Sequence, residues 1–203
     1  EKLYYSAVEQ DWGAMARMFA GAKRILERAG KVRIVGKETD LTFSIRGRKA
    51  IPCAGEYNMP DGEIFTGPVE NSTEGKIYFE FPAIAGGREV GGIRLVFRKG
   101  RVVEASAEKN EGYLKEMLAA DKGASVLGEF GIGANAGVTS FTRDILLDEK
   151  MGGTIHLAVG RSYPESGGKN DSAVHWDMIK DLRTEGELYL DGKPVLRTGA
   201  LFG

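Results

Sequence analysis

Cysteine and histidine are nearly absent from this chain. Among 203 residues there is one cysteine, and there are two histidines. A single thiol excludes an internal disulfide. Nothing in Ile51-Pro-Cys53-Ala places a histidine beside it in sequence, so Cys53 reads as a small buried apolar side chain rather than a nucleophile. An excess of either charge is missing too. The net charge is −1, which supplies no pull toward nucleic acid or an anionic membrane. No apolar run reaches the roughly 18 residues of a spanning helix, and no signal-peptide pattern is seen. The setting expected is cytoplasmic and reducing, with neither a nucleic-acid nor a membrane partner. Repeats and low-complexity tracts are lacking as well. Glycine is the surplus, at 29 residues. Without a linker-like tract, these glycines are expected to serve turns and close backbone approaches.

What is present is ordinary globular material. Hydrophobic residues make up 42% and charged residues 28%, enough at this length to bury a core. Residues 9–29 read as an amphipathic helix. Trp12, Met15, Ala16, Phe19, Ala22 and Leu26 recur at spacings of three and four, with Asp11 as N-cap and Gly30 as stop. Strand-like runs follow at 32–35, 40–45, 76–81, 92–98 and 101–107, the last two split by the turn signal Lys99-Gly100. A second helix is expected over 110–121. Residues 124–130 read as a strand running into a glycine-rich loop, 131–137, and 140–148 as a short helix or turn. Further strands are expected at 153–159 and 172–178, and a tail hairpin over 187–196 turning at Asp191-Gly192. Strands outnumber helices and short turns join them. The fold class expected is therefore α+β, with a mixed, largely antiparallel sheet and a few packed helices. The chain opens on Glu1 rather than methionine and enters a helix almost at once, which reads as a fragment or one domain of a longer protein.

The two histidines fall inside one short window that ends His175-Trp176-Asp177. His156 lies in the strand-like run Gly153-Thr-Ile-His-Leu-Ala-Val159. His175 and Asp177 are two apart, so on an extended strand they point to one face. Imidazole nitrogen and carboxylate oxygen together begin a site for a zinc-class metal. Two acidic residues stand in glycine-framed, apolar settings where an unpaired carboxylate would be costly. These are Glu63 in Pro60-Asp-Gly-Glu-Ile-Phe-Thr-Gly67 and Glu129 in Leu127-Gly-Glu-Phe-Gly-Ile-Gly133. About five N/O donors and no cysteine exceed what one catalytic zinc needs and suit a two-metal site. The stretch Gly131-Ile-Gly133-Ala-Asn-Ala-Gly137 imitates a dinucleotide fingerprint. Its third glycine is one place late and Val138-Thr-Ser-Phe is a poor helix start, so a tight loop is the better reading.

The strings Asn58-Met-Pro-Asp-Gly-Glu63-Ile-Phe-Thr-Gly-Pro68, Gly128-Glu129-Phe-Gly-Ile-Gly133, Gly153-Thr-Ile-His156-Leu-Ala, Ser162-Tyr163-Pro164, Gly167-Gly-Lys-Asn170 and His175-Trp-Asp177 closely resemble the catalytic half of the M29 metallopeptidases, the thermophilic aminopeptidase family. The resemblance runs from about residue 4 to about residue 197. It implies two divalent metal ions, zinc or cobalt, with manganese or magnesium as further options. It implies Glu63, Glu129, His156, His175 and Asp177 as their ligands, and it matches a tyrosine at the metals to Tyr163. It further implies that residues 1–203 are a single metallopeptidase catalytic domain. Family members are longer and carry an N-terminal α/β domain absent from this chain, with a homodimer expected of the full-length parent. Many members also have a longer insertion where this chain has only Glu165-Ser166, which would leave the site more open here.

The function expected is a two-metal-dependent aminopeptidase that hydrolyses N-terminal residues from peptides with a free N-terminus. A water bridging two cations would lose its proton readily. A carboxylate would take that proton and pass it to the leaving amine, with Glu129 the first candidate and Glu149 the second. Tyr163 would donate to the tetrahedral oxyanion, though a structural or ligand role for it stays open. One rival is another two-metal hydrolase, such as a phosphoesterase, for which Arg161 and Lys169 would supply cations. The other is a metal-stabilised, non-catalytic fragment of the parent enzyme.

Overall fold

The computed structural model describes residues 2–201. Its helices are α1 (Lys2–Val8), α2 (Trp12–Arg28), α3 (Glu111–Leu118) and the single turn α4 (Ile145–Asp148). Its strands, numbered along the chain, form two main sheets. The first holds eight strands, in the order β15 (Ala200–Leu201), β14 (Lys193–Arg197), β13 (Gly186–Leu190), β1 (Lys31–Gly36), β2 (Thr39–Ser44), β5 (Glu74–Phe79), β8 (Ile93–Arg98) and β9 (Arg101–Ser106). The second holds five, in the order β12 (His175–Asp181), β11 (Thr154–Gly160), β10 (Leu127–Gly133), β4 (Glu63–Thr66) and β3 (Ile51–Cys53). A small hairpin, β6 (Ala83–Ala85) and β7 (Arg88–Val90), stands apart. The ladders are antiparallel throughout, and the one parallel pairing among the described residues is the isolated bridge between Asn135 and Met151. The class is α+β, as the sequence pattern predicts.

Local chemistry explains these elements. Asp11 accepts a hydrogen bond from the Ala14 amide at 2.8 Å and caps α2. The predicted stripe Met15, Phe19, Ala22 and Leu26 is buried. Both predicted tight hairpins are present. Lys99 and Gly100 have φ of 48° and 82°, and Asp191 and Gly192 have φ of 48° and 81°, as a turn matched to strand twist requires. In β1, β2 and β8 burial alternates along the strand, so one side chain in two enters the core. There the sheets meet: the Phe43 ring of β2 lies 5.2 Å from the Phe130 ring of β10, edge to face. Each such buried Phe contributes roughly 1.5–3 kcal/mol of apolar burial.

The structure corrects several boundaries. The glycine-rich stretch read as a loop is strand as far as Gly133, because its glycines admit close neighbours rather than break the ladder. The strand expected from 172 starts at His175. Ahead of it, Ser172 Oγ and the Ala173 amide are held by the Asp121 carboxylate. The second helix is shorter than expected, and Asn110 before it is left-handed at φ 59°. Strands β3, β4, β6, β7 and β15 were not expected. They are short, and Pro52 and Glu63 disguise the pair that matters most.

Candidate metal centre

Alternation decides which side chains meet on the five-stranded sheet. The register sets Glu129 opposite Ala158 and Ala158 opposite Asp177. It sets Gly131 opposite His156, Gly133 opposite Glu63, and Gly160 opposite His175. Glu63, Glu129, His156, His175 and Asp177 therefore share one face. Phe130, Ile132, Ile155 and Leu157 take the other, in the core. Gly131 makes the face flat where it must be. A Cβ built there would lie 2.0 Å from His156 Nε2, so the imidazole lies across bare backbone.

The five predicted residues are brought together. His156 Nε2 is 3.1 Å from Glu63 Oε2 and 3.3 Å from Glu129 Oε1. His175 Nε2 is 3.5 Å from Glu129 Oε2 and 3.2 Å from Asp177 Oδ2. Glu129 thus stands between the two imidazoles, one oxygen toward each. The Arg161 carbonyl lies 2.8 Å from His175 Nδ1. An Nδ1–H donated there points Nε2 at the carboxylates, where a metal would take the place of its proton. Tyr163 joins at the rim, its ring 5.0 Å from that of His175 and 5.4 Å from that of Phe65.

Donor chemistry and burial both fit divalent cations. The His156–Glu63 approach has a hydrogen bond's distance without its alignment, and Glu63 Oε2 is left unpartnered. Glu129 Oε2, His156 Nδ1 and Asp177 Oδ1 are likewise buried with no hydrogen-bond partner. Buried polar atoms are rarely left so, and four in one cluster mark a place built for something else. The protein's charges feel the crowding. Burial, then the charge of Asp177, pushes Glu129 above the usual carboxylate range. Burial works against a charged His175, yet its contact with Asp177 pushes it up to about 9. Burial likewise opposes ionised Asp177 and Glu63, but their contacts with His175 and His156 hold both below the usual range.

A cavity of about 600 Å³ opens onto this cluster. Its polar wall includes Glu63, Glu129, Glu149 and Asp177, with Glu165 at the edge; its apolar wall includes Ile51, Phe65 and the exposed Leu146. Burial, then the neighbouring Glu63 charge, pushes Glu149 up to about 7. Cys53 also lines the cavity, opposite Glu63 in the ladder. Burial and then Glu63 push its thiol up, in keeping with an inert side chain. Sequence reasoning missed Lys150. It is fully buried, and its Nζ donates to Glu63 Oε1 at 3.2 Å and also to Glu149. In sequence, a lysine next to Glu149 at the end of the expected short helix or turn gives no signal of a buried ammonium.

A family model described as thermophilic metalloprotease (M29) matches residues 5–200. The chain belongs to the M29 family. Aminopeptidase AmpS of Bacillus subtilis is 31% identical, over 79% of this chain and 46% of that protein. Aminopeptidase T of Thermus thermophilus is 35% identical, over 70% of this chain and 39% of that protein. The solved structure of wild-type AmpT from Thermus thermophilus superposes with a TM-score of 0.85 at 28% identity, covering 98% of this chain and 57% of that one. A 2,5-dihydroxypyridine dioxygenase from Pseudomonas putida reaches a TM-score of 0.80 at 20% identity, which marks a shared fold alone. This M29 chain spans about half the length of the aminopeptidases it matches. No helix among its described residues is long and apolar enough to cross a membrane.

Proposed function

We propose that this M29 chain is the catalytic part of a two-metal aminopeptidase that removes N-terminal residues from peptides. The observation that carries the reading is one cluster: two imidazoles with Glu129 between them, flanked by Glu63 and Asp177. Glu63 and His156 would hold one ion, His175 and Asp177 the other, with Glu129 shared between them. The donor set suits zinc or cobalt. Bound there, divalent ions supply Lewis acidity toward a carbonyl and make water available as a nucleophile near neutral pH.

The chain's own residues do the rest. Glu129, raised by burial, is the first candidate to accept a proton and return it to the leaving amine, and Glu149 at about 7 is the second. Burial, then the Glu129 charge, pushes Tyr163 up to about 12. As a phenol it is able to donate to an oxyanion. Replacing Tyr163 by Phe is expected to lower kcat about 10²-fold with little change in KM, the pattern of a donor used only in the transition state. The acidic wall of the cavity favours a substrate's α-amino group. That contact would hold the first peptide bond, and no later one, over the site.

The test pairs metal content by elemental analysis with hydrolysis of leucyl amide and acetyl-leucyl amide, in this chain and in the full-length protein. Two ions per chain and cleavage of the free amine alone are expected. Equal cleavage of the acetylated substrate, or a full-length protein that takes up no metal, would overturn the proposal.

A further inference from the structure

We propose that Lys150 is a positioning residue of the metal centre: a fixed ammonium that turns one oxygen of Glu63 away from the other ligands and keeps Glu149 beside it. This rests on the two-metal reading above. Lys150 has no exposed surface, and a buried ammonium is costly unless it is paired. Its partners are the Glu63 and Glu149 carboxylates, and neither is a distant surface group that it merely reaches. The backbone is tied down as well. The Lys150 amide donates to the Leu147 carbonyl at 3.1 Å, and the Lys150 carbonyl accepts from the Asn135 amide at 2.9 Å. Asn135, fully buried, sends its Nδ2 to the Asp61 carbonyl at 2.7 Å, two residues before Glu63. One residue therefore fixes both the backbone that carries the ammonium and the backbone that carries its carboxylate partner.

The consequence lies in how Glu63 presents itself. Its Oε1 is taken by Lys150, while its Oε2 has no hydrogen bond and lies toward His156 Nε2. The carboxylate thus offers one oxygen to the cluster. Glu63, Glu149 and His156 offer three ligand atoms within 4.8 Å of one another, and the Lys150 ammonium is paired with both of the acids. Without the ammonium, that group would itself compete for a cation and both Glu63 oxygens would be free. By donating to both acids, Lys150 competes with a cation for Glu149 and for Glu63 Oε1.

The experiment substitutes Lys150→Met, which keeps length and removes charge, and loads the chain with cobalt(II). Visible absorption reports coordination, and titration reports affinity. For wild type two ions are expected. For Lys150→Met, the expected result is an altered spectrum and at least a tenfold change in the affinity for one ion, the other unchanged, as Glu149 and the second Glu63 oxygen become available to it. The wild-type spectrum with both affinities unchanged, even if Tm falls, would reduce Lys150 to a structural residue and overturn the inference. If the variant does not fold, a crystal structure of the cobalt-loaded wild-type chain decides. Lys150 Nζ on Glu63 Oε1 with cobalt on Oε2 alone supports the role; both Glu63 oxygens on cobalt, or Lys150 swung away, defeats it. A wild-type chain that takes up no cobalt overturns the two-metal reading itself, and this inference with it.

Discussion

On the eight-stranded sheet, β1, β2 and β8 send Val32, Ile34, Leu41, Phe43, Leu95 and Phe97 into the core. Their outward residues form surface ion pairs, such as Arg33 with Asp40 and Arg94 with Glu38. On the five-stranded sheet, every residue of β10 and β11 is buried. One face there is as apolar as its counterpart, and the other holds carboxylates and imidazoles with unpartnered atoms. The same two-residue period thus serves two ends. The first sheet follows the rule that polar side chains go to water, and its role is stability. The second breaks the rule on one face, which is costly to the fold and is where the chemistry gathers. If this division holds, changes on the polar face alter metal binding and turnover more than stability, and changes in the first sheet do the reverse.

The sharpest test of that division is Glu129→Gln. Gln keeps the size and loses the charge and the proton-accepting capacity. Turnover of the full-length protein is expected to fall by about 10³-fold, within the range of lost acid–base catalysis, while the chain stays folded by circular dichroism. Near wild-type turnover at full metal loading would remove Glu129 from any shared-ligand or basic role.

Next in size is a change in the other sheet. Phe97 is buried on β8, and Phe97→Ala is expected to cost about 3–5 kcal/mol, read from the denaturant midpoint. Metal uptake per folded molecule should be unchanged. Weakened metal binding in molecules that remain folded would mean that the two sheets are coupled and the comparison is too simple.

The apolar half of this picture was legible in sequence and the polar half only in part. The α2 stripe, the tight hairpins and the alternation of β1, β2 and β8 follow from local pattern and turn chemistry. Glu63 and Glu129 could be singled out because charge among glycines and apolar residues is conspicuous. The strand that carries Glu63 could not, since four residues starting with a Glu have no readable period. The glycine-rich stretch misled for a related reason. Gly131 answers to a partner 25 positions later in the chain, the His156 ring lying across it, and no local signal encodes that. Lys150 was invisible because burial of a charge is decided by tertiary packing. Gly131→Ala tests the long-range part. A Cβ at that position must displace the imidazole, so metal affinity is expected to fall about 10–100-fold, the size of effect seen when a ligand's supports are removed. Unchanged affinity would mean that His156 is free to move without losing its partners.

The smallest effect expected belongs to the exposed pairs. Arg33 and Asp40 approach to 2.8 Å with about half of each side chain in water. Solvent and salt screen such a pair, so Asp40→Asn should change stability by at most about 1 kcal/mol and leave metal uptake untouched. Its sign with pH is fixed by the direction of the shift. The hydrogen bond from Arg33 holds Asp40 below its usual carboxylate value. The pair therefore stabilises the fold above the unfolded-state pKa, and that contribution is lost as pH falls through the lower, folded-state value. Wild type and Asp40→Asn should differ slightly at neutral pH and low salt. They should converge in strong salt, where the Debye length falls to about 3 Å, and again in acid. A difference of several kcal/mol that survived salt would place a buried, functional pair on the sheet that is here assigned to stability alone.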